Sequence, residues 1–291
     1  MKEGTRTIAD IQANALHASL SAGIPTPLPT DLDSILPSDI EIRNGLSSLI
    51  ASLVGSTKPA PLPITMTTIY DSNGKATSES PIPSHIVLST SLHAALLHTS
   101  DELRAEYPGL ERFKVAAQRN LGVFFQAQAR LYGPPGKPVQ QYDPKTKSFV
   151  EPYTMDGDGI IDGPFTYFLS TTTCERLEPT FVINPTIKSL PPDPNIPTMD
   201  IVVLRPRRDP HVDAATSPEE RRERWKKRAM EVIGHAYKGG GHIDLTYPND
   251  GGETVCNGSG QVVVETFRVG EFSWTPLVSY LYWTRDSGLT D

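Results

Sequence analysis

The chain has 291 residues, of which 37% are hydrophobic, enough for one large domain or two smaller ones with buried cores. Its formal net charge is −7, and a protein that tracks phosphate backbones is usually basic, so no nucleic-acid partner is expected. Two cysteines, Cys174 and Cys256, are too few for a disulfide framework or a cysteine zinc site.

The first residues, MKEGTRTIADIQ, lack the apolar core of a secretory signal. No apolar run approaches the ~18 residues that a membrane-spanning helix needs. The expected location is therefore the cytosol or the surface of a membrane. Asn257-Gly258-Ser259 matches a glycosylation sequon and reads as a chance match.

Residues 10–22 read as a helix, with Leu16 and Leu20 one turn apart among alanines. After a proline-rich loop, Asp39 can cap a second helix over 40–54, with Ile42, Leu46, Leu49, Ile50 and Leu53 on its apolar face. Gly55 and Pro59 end it, and 59–64 read as a hinge. Residues 64–70 suit a strand, and Asn73-Gly74 a hairpin turn. Residues 86–97 begin as a strand, and Ser100 starts a helical pattern that Pro108 interrupts. The pattern resumes over 109–131, with Leu110, Phe113, Ala117, Leu121 and Phe124 on one face.

Residues 133–164 read mostly as loop. Strands are expected at 165–172, 179–184 and 199–205. Ser217-Pro218-Glu219-Glu220 is a capping box with proline at the first helical position. The helix behind it runs to about Tyr237, with Trp225, Ala229, Val232, Ile233 and Ala236 facing inward. Strands are expected again at 242–247 and 261–269.

Several segments, taken together, resemble the diacylglycerol/sphingosine kinase family of lipid kinases, its fungal members in particular. Asn14-Ala15-Leu16 with Ser19 resembles the end of a Gly-Thr-Gly-Asn-Ala-Leu loop-to-helix motif. Residues 86–113 resemble a strand that runs into Ser-Glu-x-x-Arg and then Arg-Phe. Residues 199–206, MDIVVLRP, resemble a Leu-Asp-Leu-Val strand, and 262–276 resemble a late hairpin that contains Phe-Arg and closes on proline.

The resemblance implies an α+β protein in two parts. Residues 1–62 would be the remnant of an α/β nucleotide-binding domain, and 63–291 an antiparallel β-sandwich that carries the lipid site. The implied reaction transfers the γ-phosphoryl of ATP, with magnesium, to a lipid hydroxyl at a membrane surface. Asn14, Arg104 and Arg112 are the implied nucleotide-binding residues. The rival from another class is a non-catalytic lipid- or protein-binding β-domain.

The departures are specific. The family's Gly-Gly-Asp-Gly motif would precede residue 1 and does not occur in the chain, nor does its final Asp-Gly-Glu. Gln12 and Ala13 stand where the family has Thr and Gly, which weakens the approach of backbone to phosphate. Ala95 and Leu97 stand where sphingosine kinases place acidic residues. Residues 63–276 are expected to fold as one unit, with 1–62 loosely held or self-associating through apolar helix faces left without a sheet.

Four other features read as structural. DGDGIIDG at 156–163 has Ile160, Ile161 and Tyr167 at the fifth, sixth and twelfth loop positions, so it is an acidic turn rather than a calcium loop. Gly239-Gly240-Gly241 ends a helix. The six basic residues of RRERWKKR, 221–228, read as a solvated helix face, with contact to anionic lipid the minority reading. The seven histidines show no metal-ligand spacing.

Overall fold

The computed structural model describes residues 62–155, 157–178, 180–248 and 252–277. The expected helices at 10–22 and 40–54, the remnant domain and Asn14 lie outside these residues. No helix among the described residues is long and apolar enough to cross a membrane.

In chain order, a hairpin of β1 (Thr65–Thr67) and β2 (Ile82–Ser84) comes first, with Met66 opposite Pro83. Between them Asp71 holds a tight turn at Asn73-Gly74: its carboxylate accepts the N–H groups of Asn73 and Lys75, each at 2.9 Å. Strand β3 (Val87–Thr90) then runs directly into helix α1 (Ser91–Glu102). The helix starts nine residues before the expected Ser100, because Ala94, Ala95, Leu96 and Leu97 are good helix formers with no breaker among them. A 3-10 turn over Leu103–Ala105 follows, and beyond Pro108 comes α2 (Glu111–Asn120). Asn120 ties the two helices together, its amide donating to Thr99 Oγ1 at 2.9 Å.

The helix expected to reach 131 stops at Asn120, and 127–132 form strand β4 (Ala127–Tyr132). Its composition favours a helix, but Ala127, Ala129 and Leu131 are buried while Gln128, Arg130 and Tyr132 between them are not. Period-two burial overrides propensity here. The expected loop of 133–164 also contains β5 (Gln140–Asp143), β6 (Ser148–Val150) and β7 (Ile160–Asp162). These strands are too short and too polar for a periodic signal. Strand β8 (Tyr167–Thr171) falls within its expected span. Of the strand expected at 179–184, the described residues 180–184 form none; one isolated bridge, Arg176 to Val182, precedes the short helix α3 (Thr186–Ser189).

Strand β9 (Met199–Leu204) matches its expected span to within a residue. Asp209 caps α4 (Pro210–Asp213) by accepting from His211 N at 2.9 Å. Helix α5 (Pro218–Ala236) follows the capping box, with Ser217 Oγ accepting Glu220 N at 3.1 Å. Trp225, Ala229, Val232 and Ala236 are buried along it, one or two turns apart. Gly239 and Gly240, both at positive φ, end it. The expected strand at 242–247 is mostly a 3-10 turn, Gly241–Asp244, followed by β10 (Leu245–Thr246). Strands β11 (Val255–Cys256), β12 (Val264–Val269) and β13 (Glu271–Pro276) close the described chain.

The main sheet has the strand order β3-β8-β9-β12-β5-β6, and a three-stranded sheet has the order β13-β4-β7. Helices and antiparallel sheets are mixed, so the class is α+β. The late hairpin expected at 262–276 is not a hairpin: β12 and β13 are consecutive but lie in different sheets. Gly270 makes the change of sheet possible, since a Cβ there would come within 2.6 Å of Pro134 Cα.

Of the described residues, 62–88, 169–200 and 231–242 form one compact unit, and 89–168, 201–230 and 243–277 the other. In the first, Asn184, Thr186 and Asp200 form a buried polar network, with the Asn184 amide and the Thr186 hydroxyl both donating to Asp200 Oδ2. His242 Nε2 donates to the Ile183 carbonyl at 3.1 Å, and Phe181 packs on Tyr237. In the second, Phe165, Phe168, Phe272 and Trp274 make an aromatic cluster with centroids 4.6–5.7 Å apart.

At the junction of β3 and α1, Ser89 Oγ lies 2.6 Å from His93 Nδ1. Burial lowers the His93 pKa to about 4 from 6.5. An imidazole that is harder to protonate when folded contributes stability that is full above about 6.5 and is lost as pH falls through about 4. Urea denaturation between pH 7.5 and 4 is expected to show that loss in the wild type and a flatter profile in His93→Gln. Identical slopes for the two proteins would contradict it.

Candidate functional site

The two described residues that the family resemblance singles out lie on neighbouring elements. Arg104, in the 3-10 turn after α1, is at the surface in a 2.7 Å ion pair with Asp101. Arg112, in α2, is 8% exposed. Its Nη1 donates to the backbone carbonyls of Pro108 at 3.1 Å and Gly109 at 2.8 Å, and its guanidinium lies over the Phe113 ring. Arg112 thus closes the turn that Pro108 opens, and its Nη1 is committed to backbone. Among the described residues no three His, Cys, Asp or Glu side chains are grouped to hold a metal ion.

The basic run on α5 is mostly engaged. Arg221 donates to the Ala215 carbonyl, Arg224 to Glu220 and the His211 carbonyl, and Lys226 to Glu223. Arg228 is buried against Asp209 at 2.7 Å. These are structural partners of a helix face rather than a free basic patch.

The densest polar construction is elsewhere, in the second unit, around Glu265. This glutamate sits in β12 with no solvent exposure. Arg205, at the end of β9, grips it in two-pronged fashion: Nε to Oε2 at 2.7 Å and Nη2 to Oε1 at 2.6 Å. Arg208 approaches the same carboxylate at 3.5 Å. Burial alone would raise the Glu265 pKa, but the two guanidinium groups outweigh it and hold the carboxyl below its usual range.

Arg205 also fixes a loop and the end of strand β7. It donates to the carbonyls of Thr154 at 3.0 Å and Asp162 at 3.1 Å. The Thr154 loop is held a second time by Gln141 of β5, fully buried, whose Oε1 accepts from Tyr153 N, Thr154 N and Thr154 Oγ1. A third segment, 259–261, lies along β10 through Tyr247 N to Gln261 O at 2.8 Å. Only glycine fits at 260, where a Cβ would fall 1.8 Å from the Tyr247 carbonyl.

These segments border an open hollow of about 440 Å³, lined by Lys145, Tyr153, Thr154, Arg208, Ser259 and Gln261 among others. Lys145 reaches the Ser259 carbonyl at 3.4 Å. Arg208 Nε is buried without a hydrogen-bond partner. Partial burial and the negative charge of Asp143 push the Tyr153 hydroxyl up to about 12, so it is a neutral donor at physiological pH. None of these residues was singled out from sequence as part of a site; Ser259 was noted only within a sequon. The available signal was Glu265 itself, a charge inside the apolar run VVVETF, with RPRRDP after another strand as the natural source of its partner.

No family model matches the chain, and no curated protein matches it.

Because Glu265 is the carboxylate bonded to Arg205 among the described residues, Glu265→Gln leaves a buried guanidinium without that counter-charge. A loss of about 3–5 kcal/mol in urea denaturation is expected, against a small effect for Glu220→Gln on the surface of α5. A small loss for Glu265→Gln would contradict the clamp. The double variant Arg205→Met/Glu265→Gln should recover part of the loss.

Proposed function

We propose that this chain is the lipid-facing portion of a protein of the diacylglycerol/sphingosine kinase type, its antiparallel sheets forming that family's β-sandwich. One observation carries the reading. Two of the family-like segments fall, in the family's order, on regular elements, 86–113 on β3, α1 and α2 and 199–206 on β9, whereas 262–276 falls on β12 and β13 of different sheets. The reaction of such a protein is phosphoryl transfer from ATP, with magnesium, to a lipid hydroxyl, by positioning and electrostatic stabilisation. Arg104 and Arg112 would meet phosphate oxygens.

The acceptor is a neutral lipid head. Ala95 and Leu97 on α1 offer no carboxylate, and His93 one turn away is uncharged at neutral pH. An ammonium brought there would be desolvated without a partner. Exposed apolar side chains on the first hairpin region, Ile64 at 62% and Met66 at 57%, support contact with a membrane interface. The chain as it stands has no Gly-Gly-Asp-Gly motif and so lacks the implied phosphate loop and catalytic aspartate. Losing one such transition-state donor costs about 10²–10³ in rate, so turnover by this chain is at or near background.

A non-catalytic lipid-binding domain is the second reading, favoured by the commitment of Arg112 Nη1 to backbone carbonyls.

Vesicle flotation tests the lipid-facing role common to both. The chain is expected to float with phosphatidylcholine vesicles containing diacylglycerol or ceramide, and to gain nothing from sphingosine. Absence of binding, or strong preference for sphingosine, contradicts the proposal. A radiolabelled-ATP assay on the same chain should give background counts, and clear magnesium-dependent turnover would refute the expected inactivity.

A further inference from the structure

The hollow beside the Arg205–Glu265 clamp has a chemistry of its own. The side chains that line it include two cations, Lys145 and Arg208, and no carboxylate, in a chain whose overall charge is −7. The carboxylate that could neutralise Arg208 is already engaged by Arg205 at 2.6 Å and 2.7 Å, whereas Arg208 lies 3.5 Å from it. Arg208 therefore has capacity left for an anion. Lys145 is held near Ser259 only by a long 3.4 Å contact to a carbonyl. The Tyr153 hydroxyl remains protonated, and Ser259 and Gln261 add neutral polar groups from another segment.

We propose that this hollow binds a phosphomonoester, with Arg208 and Lys145 as its cationic contacts and the Tyr153 hydroxyl as a neutral donor. The donors come from four separate chain segments around an open cavity. Such an arrangement suits the several oxygens of a tetrahedral phosphate, whereas a planar carboxylate is best met by two parallel donors in one plane. A volume of about 440 Å³ exceeds what inorganic phosphate fills and leaves room for a small attached group. The loops that carry these residues are fixed in advance by Gln141, Arg205 and the close approach at Gly260, so binding need not order them. The phosphomonoester could be a soluble metabolite or the exposed headgroup of a lipid; the recognition chemistry is the same. The inference does not depend on the lipid-kinase reading.

The experiment uses the full chain at matched ionic strength. Glycerol 3-phosphate is titrated by calorimetry. Flotation is measured with phosphatidylcholine vesicles with and without phosphatidic acid. Lys145→Ala and Arg208→Gln are compared with wild type in both arms, and thermal unfolding accompanies each variant. Lys145→Ala leaves the clamp intact, so its melting temperature should be unchanged even if Arg208→Gln lowers stability. Saturable binding of glycerol 3-phosphate, weakened about tenfold or more by either substitution, supports a site for a soluble phosphomonoester. Binding seen only with phosphatidic acid vesicles, and weakened likewise, supports a lipid headgroup. No saturable binding to either probe, or binding that Lys145→Ala and Arg208→Gln both leave unchanged, overturns the proposal.

Discussion

A carboxylate fully removed from water, in the middle of a strand whose other side chains are also buried, is the constraint around which the second unit is arranged. Glu265 cannot remain ionised there without close cationic partners, because the cost of desolvating an isolated carboxylate exceeds what burial of its apolar neighbours returns. Arg205 supplies the planar fork that matches the carboxylate, and Arg208 adds charge from the same short segment. The pair need not stabilise the fold more than two apolar residues of equal volume would. What an apolar pair could not do is direct the remaining guanidinium N–H groups onto the Thr154 and Asp162 carbonyls, and so fix the Thr154 loop and the end of β7 to the end of β9.

From that clamp the local architecture follows in steps. Thr154 is held on one side by Arg205 and on the other by Gln141, which places Tyr153 at the edge of the hollow. Asp162 ends β7, the strand that pairs with β4 in the smaller sheet, so the clamp also reaches the sheet that carries Trp274. Function in this reading rests on two local environments of different character. In the proposed lipid-facing role, α1, with Ala95, Leu97 and a neutral His93, would meet an uncharged lipid head. The hollow beside Arg208 is the proposed anion site.

Much of the fold was legible in the sequence where one face of an element dominates. Helix α5 was readable because Ser217, Pro218 and Glu220 mark its start and Trp225, Ala229 and Val232 recur at helical spacing. Strands β8 and β9 were readable as β-branched and aromatic runs bounded by turn residues. Strand β4 was not, because Ala, Gln, Arg and Leu favour a helix in isolation and only the packing of Ala127 and Ala129 against neighbouring strands reveals period two. Strands β5 to β7 are three or four residues long and carry too few apolar positions to register. The hollow was invisible for a different reason. Lys145, Tyr153, Arg208 and Ser259 are widely separated in sequence, and only the pairing of β5 with β6 and β12, together with the clamp, brings their segments together. Arg104 and Arg112 were found by resemblance, yet sequence could not foretell that Arg112 Nη1 bonds the backbone of its own preceding turn.

Native-state hydrogen exchange on the wild type and on Arg205→Lys tests the central claim most directly. Lysine keeps the charge but cannot grip both oxygens of Glu265 while also reaching the Thr154 and Asp162 carbonyls. The clamp predicts selective loss of protection at the amides of Tyr153, Thr154 and Gly163, with the helical amides of α2 and α5 unchanged. Equal protection in the two proteins, or a uniform loss across the whole chain, would contradict the account.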